Sequence, residues 1–182
     1  TAIKIQNEGE LARDINELFS DARFLLFLRK IHKVTLTSGG MDQLCIKKVF
    51  AEDTQGILSL YRNDANISNW YLRNGNYTIP SSIREELQED IKSPKKLQEM
   101  VRVELSFAFR LDAGLKSISL LPKDESCIFT YLPTSVNEFG FPFLVNSNFL
   151  VDAGREKLHQ DRIWNQWLFE ISRESFGLIS EE

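Results

Sequence analysis

From Val101 to Leu111 the chain alternates apolar and polar residues without a break: Val101, Val103, Leu105, Phe107, Phe109 and Leu111 against Arg102, Glu104, Ser106, Ala108 and Arg110. A period of two sustained over that length is the signature of an extended strand with one face in a core and the other toward water. A lone strand leaves its backbone donors and acceptors unpaired, so the chain must build a sheet around this segment. The candidates for its neighbours lie on both sides of it.

Val34, Leu36, Leu44, Ile46 and Val49 sit among polar residues around Ser38-Gly39-Gly40, which predicts a β-hairpin with a glycine-rich loop. Ile57–Tyr61 reads as a short strand, and Trp70–Ile79 carries Arg73-Asn74-Gly75-Asn76, which predicts a second hairpin. Leu115–Leu121, Cys127–Leu132 and Phe141–Val151 read as further strand or extended segments. Helical spacing appears in three places. Residues 7–30 carry Leu11, Ile15, Leu18 and Phe19 on one face, with Ser20-Asp21 placed to cap a second helix through Phe24–Leu28. Pro80-Ser81-Ser82 opens a helix with Ile83, Leu87 and Ile91 on one face, broken at Ser93-Pro94. After Gly154, the residues Leu158, Trp164, Trp167, Leu168 and Ile171 form a broad apolar stripe. The predicted class is α+β: a mainly antiparallel or mixed sheet with flanking helices. Residues 1–30 read as a helical arm toward an upstream domain, and 31–182 as the α+β domain.

Composition narrows the function. A formal net charge of −4 counts against nucleic acid as a partner, because phosphate backbones demand a dense basic surface. No apolar run approaches bilayer length, and the N-terminus lacks the basic start and apolar core of a signal peptide. Cys45 and Cys127 stand in apolar or strand-like stretches without metal-ligand spacing, which predicts two buried free thiols and a reducing, cytoplasmic setting. The chain begins at Thr1 rather than Met, and reads as a middle segment of a longer protein. No phosphate-binding glycine loop, nucleophile elbow or zinc-binding helix motif is present, so the chain is not read as an enzyme by itself. His32 and His159 are far apart and read as structural or solvated. Asn146 and Asn148 read as loop-holding residues, and Trp164 and Trp167 as core.

One segment stands out: Phe129-Thr-Tyr-Leu-Pro-Thr134, then Gly140-Phe-Pro-Phe-Leu-Val-Asn146-Ser-Asn-Phe149, then Gly154-Arg155-Glu156. It resembles a motif of sacsin-like proteins. Phe24-Leu-Leu-Phe-Leu-Arg-Lys-Ile-His-Lys-Val-Thr-Leu36 is similar to the stretch that follows the nucleotide-binding domain in the same group. The two blocks cover about a quarter of the chain. The resemblance implies a middle domain of a GHKL-type chaperone ATPase, lying after a separate domain that binds ATP and Mg. In the related ninety-kilodalton heat-shock chaperones, an Arg in a Ser-Arg-Glu-x-Leu-Gln element reaches the γ-phosphate from the middle domain. Gly154-Arg155-Glu156-Lys157-Leu158-His159-Gln160 is similar, with departures at Gly154 and His159.

Arg155 is therefore the residue carried over as a catalytic and nucleotide-contacting group. Gly154 would supply the turn, and Arg155 would project from the start of a helix, where backbone N–H groups also favour anions. The implied partners are the chain's own upstream ATPase domain and, beyond it, protein clients or co-chaperones. The alternatives are a non-catalytic protein-interaction module of the same fold, or part of a nucleic-acid-handling GHKL ATPase.

Overall fold

The computed structural model describes residues 13, 19, 22–38, 41–91 and 93–179. Most of the helix expected over residues 7–20 lies outside them. The described chain forms an α+β domain around one mixed, mostly antiparallel sheet of nine strands. These are β1 (Lys33–Ser38), β2 (Met41–Phe50), β3 (Ile57–Arg62), β4 (Ala65–Thr78), β5 (Arg102–Leu111), β6 (Ile118–Ser119), β7 (Ile128–Thr130), β8 (Leu132–Pro133) and β9 (Leu144–Asn146). Their order is β1-β2-β3-β4-β5-β9-β7-β8, with β6 also paired to β5. The strands run antiparallel except where β7 lies parallel to β9. Helices α1 (Ser81–Glu89), α2 (Lys95–Gln98) and α3 (Ile163–Ile179) pack on one face.

The alternating segment is the centre of the sheet, but both of its faces are covered. Val103, Leu105, Phe107 and Phe109 enter a core with Ile83 and Leu87 of α1 and with Trp164, Trp167, Leu168 and Ile171 of α3. On the opposite face Ala108 joins Leu44, Ile46, Leu58, Leu60, Trp70, Phe129 and Leu144 in a second core. Phe24–Phe27 closes that second core. The water-facing side expected for β5 is thus half true: Arg102 is exposed, whereas Ser106 and Ala108 are buried.

Four local expectations change. Trp70–Ile79 is no hairpin: β4 runs straight through Asn74 and Gly75, which pair with Ser106 and Leu105 of β5. Ten cross-strand pairs with β5 outweigh the local turn preference of Asn-Gly. The tight turn falls at Asn63 and Asp64, both at positive φ (46° and 67°), as a two-residue hairpin loop requires. Phe24–Leu28 is not a helix; a 3₁₀ turn spans Ala22–Leu25, and the phenylalanines and leucines from 24 to 27 are all buried in one compact plug. Helix α1 stops at Glu89, which leaves Ile91 exposed rather than on the buried face. On β2 the inward residues are Leu44, Ile46 and Lys48; Val49, expected in the apolar set, points out.

Candidate functional site

Arg155 and the hairpin it grips form the candidate site. Strands β7 and β8 are joined through the single residue Tyr131, held at φ 68°. The Tyr131 N–H donates to Asn146 Oδ1 at 2.6 Å, so β9 pins the reversal. Tyr131 also donates its hydroxyl to Asn148 Oδ1 at 3.0 Å. Both asparagines therefore hold the loop, as expected; Asn146 does so through a backbone donor and Asn148 through a side chain. Behind them, the Trp164 indole N–H donates to the Asn148 carbonyl at 2.8 Å. Trp164 and Trp167 are buried, in agreement with their reading as core.

The second half of the site is a turn at 152–157. The Arg155 N–H donates to the Asp152 carbonyl at 3.0 Å, and the Asp152 side chain accepts the N–H groups of Glu156 at 2.8 Å and Lys157 at 3.2 Å. These backbone donors, Lys157 first, hold the Asp152 carboxyl below the usual carboxylate range. A short bridge between Val151 and Leu158 closes the loop.

From this turn the Arg155 side chain reaches back over the β7–β8 hairpin. Its Nη2 donates to the carbonyls of Leu132 at 2.8 Å and Thr130 at 3.2 Å, and to the Thr130 hydroxyl. Its Nε reaches the Pro133 carbonyl at 3.4 Å, and its own carbonyl accepts from the Ser135 N–H at 2.9 Å. Every acceptor is neutral. Among the described residues Arg155 makes no ion pair, and Nη1 has no hydrogen-bond partner. The half-buried guanidinium is thus fixed in orientation by neutral acceptors.

Two expectations about this turn are corrected. The left-handed residue is Arg155 itself, at φ 60°, and not Gly154. Helix α3 begins at Ile163, eight residues later, so no helix N-terminus adds its donors beside Arg155. Gly154 is exposed, and a Cβ there would meet nothing nearer than Glu156 Cγ at 3.5 Å. The adjoining cleft, about 440 Å³, is lined by Glu138, Glu156, Lys157 and Gln160 among others. With two carboxylates to one ammonium, it is not shaped for an anion by charge. Among the described residues no group of three His, Cys, Asp or Glu side chains could hold a metal ion. The exposed His159 contributes its backbone, donating to the Leu150 carbonyl at 3.1 Å. His32 donates through its Nε2–H to the Arg29 carbonyl, 3.0 Å away. Cys45 and Cys127 form no disulfide, as expected, but each is half-buried rather than buried.

Sequence reasoning did not single out Lys48. Its signal was phase: Lys48 shares the inward register of Leu44 and Ile46 on β2, so a charge there had to enter the core.

No family model and no solved structure matches the chain. It is similar to Protein NO VEIN of Arabidopsis thaliana, with 22% identity over 168 residues that take in 90% of this chain and 5% of that protein. The chain therefore spans about a twentieth of the length of that relative. Among the described residues, no helix is long and apolar enough to cross a membrane.

Proposed function

We propose that this chain is an accessory, middle-type domain of a larger chaperone-like ATPase, and that Arg155 completes the γ-phosphate site of a separate ATP-binding domain. The observation that carries the reading is the Arg155 guanidinium. It is held by neutral acceptors and, among the described residues, is paired with no carboxylate and makes no hydrogen bond through Nη1.

The chemistry follows from that state. A guanidinium remains charged at any working pH and offers its donors in a planar fork suited to phosphate oxygens. Four bonds to the β7–β8 hairpin remove most of the side chain's rotamer freedom before any phosphate arrives. An immobilised arginine then loses less entropy on contact than a mobile one. ATP and Mg, bound by the neighbouring domain, supply the transferable phosphoryl group and its charge-balancing cation. Arg155 stabilises charge on the equatorial oxygens only when the two domains dock, which ties turnover to conformation. An arginine delivered in this way is worth about a thousandfold or more in rate. The same docking would pass nucleotide state on to clients or co-chaperones.

A non-catalytic interaction module is the second reading. It is favoured by the use Arg155 makes of its own hairpin, since that clasp stabilises the domain whether or not a phosphate is ever met.

Mixing the two domains separates the readings. The chain added to the upstream ATP-binding domain accelerates hydrolysis, and chain carrying Arg155→Ala does not. The chain alone shows no micromolar ATP binding by calorimetry. Equal acceleration by both chains, or tight ATP binding by this chain alone, would overturn the proposal in favour of the second reading or of an internal nucleotide site.

A further inference from the structure

A cavity of about 790 Å³ opens on the sheet face opposite the helices, beneath the Phe24–Leu28 segment. That size is within the range of small-molecule sites, roughly 300–1,000 Å³. Its walls are mixed. Leu26, Phe27, Phe50 and Leu72 supply apolar surface, and Tyr71 and Asn74 supply polar groups. At its edge Arg29 pairs with Glu104, and Glu104 also accepts from the Ser106 hydroxyl at 3.2 Å. Arg73 lies in the wall as well.

Lys48 enters this cavity from β2. It is 5% exposed. Its Nζ donates to the Leu25 carbonyl at 2.8 Å and to the Leu28 carbonyl, and sits 5.7 Å from the Phe50 ring centroid. An ammonium has three donors, and two carbonyls use two of them. Among the described residues no carboxylate forms an ion pair with it. Burial alone pushes its pKa down to about 8. An enclosed ammonium without a counter-ion is costly, and the usual remedy is an anion.

We propose that this cavity binds a small organic carboxylate, with the carboxylate on the Lys48 ammonium and an apolar body along Leu26, Phe27, Phe50 and Leu72. The charge state follows from the surroundings. Lys48 brings a positive charge with no carboxylate paired to it among the described residues, and Arg29 is matched to Glu104, so the lining favours an anion.

Phenylbutyrate and phenylbutanol, which share shape and differ in charge, make the test. Titrated into the chain at neutral pH and followed by amide NMR, phenylbutyrate shifts the amides of Gly56, Leu72, Arg73 and Ser106. Phenylbutanol binds at least about tenfold more weakly. Lys48→Met abolishes the preference for the acid and keeps the weak binding of the alcohol. Equal affinity of acid and alcohol for the unmodified chain would overturn the proposal. So would shifts centred elsewhere, or no binding up to about 10 mM. The comparison on the unmodified chain stands even if Lys48→Met fails to fold.

Discussion

Arg155 is joined to Thr130 by one nitrogen that donates to both the carbonyl, at 3.2 Å, and the hydroxyl of the same residue. The two residues are 25 apart in sequence, and the contact fastens the 152–157 turn onto the β7–β8 hairpin. It makes Arg155 a brace as well as a charge, and the two roles respond differently to substitution.

Arg155→Lys keeps the charge and loses the fork. A lysine ammonium cannot reach Thr130, Leu132 and Pro133 with the same planar geometry. Urea unfolding of the chain should show a loss of about 1–3 kcal/mol, the range for a few hydrogen bonds from a charged donor. An unchanged midpoint would mean that the clasp contributes nothing to stability.

Lys48 should give the domain a stability that rises with pH. Its folded pKa of about 8 lies below the ordinary lysine value of 10.5, so between those values the unfolded chain binds the extra proton. Stability increases with pH wherever the unfolded state binds more protons, so the penalty of burying the ammonium is present in full below pH 8 and fades toward 10.5. The shift corresponds to no more than about 3 kcal/mol. Unfolding free energies at pH 7.5 and 10, compared between the chain and Lys48→Met, check this. The slope should be steeper in the chain than in the variant, and parallel slopes would contradict the assignment.

Asn165 should be one of the least replaceable polar residues. It is fully buried, accepts from the Leu150 N–H at 2.8 Å, and donates to the carbonyls of Leu150 and His159, each at 2.8 Å. Asn165→Ala leaves the Leu150 N–H without its acceptor and takes one donor each from the Leu150 and His159 carbonyls, which keep the N–H groups of His159 and Arg162. We expect a loss of about 1–3 kcal/mol in thermal or urea unfolding.

Two glycines should behave oppositely. Gly56 sits at φ 85°, and a Cβ there would come within 2.6 Å of the Leu72 carbonyl oxygen. Gly56→Ala should therefore cost about 2 kcal/mol or more. Gly154 carries no such φ, and its Cβ would find ordinary contacts, so Gly154→Ala should change stability by less than about 0.5 kcal/mol. The order of the two melting temperatures tests both statements.

What the sequence made legible was whatever repeats at a fixed period. The β5 alternation, the α3 stripe through Trp164, Leu168 and Ile171, and the Ile83–Leu87 face of α1 all became buried surfaces. What it hid was decided by partners distant along the chain. Asn74-Gly75 looks like a turn until β5 is laid beside it. Gly75 serves instead to admit the Tyr77 ring, which lies 2.6 Å from where a Cβ would stand. Phe24–Leu28 has too many apolar residues in succession for one helical face, so it plugs a core rather than forming an amphipathic helix. At the candidate site, Arg155 could be picked out by its neighbours in sequence. Its brace on Thr130, Leu132 and Pro133 could not, because apart from the Thr130 hydroxyl those acceptors are backbone carbonyls that any residues would have supplied. Lys48 was concealed by averaging over β2: counting its apolar residues favours Val49, whereas following the register from Leu44 and Ile46 leads inward to the lysine.

The most direct measurement is steady-state ATP turnover, with nucleotide affinity measured alongside, in the longer ATPase of which we propose this chain is a domain, carrying Arg155→Ala. The account predicts turnover reduced by about a hundredfold or more while the affinity for ATP stays within about threefold. Turnover equal to that of the unaltered protein, in a variant whose domain remains folded, would contradict it.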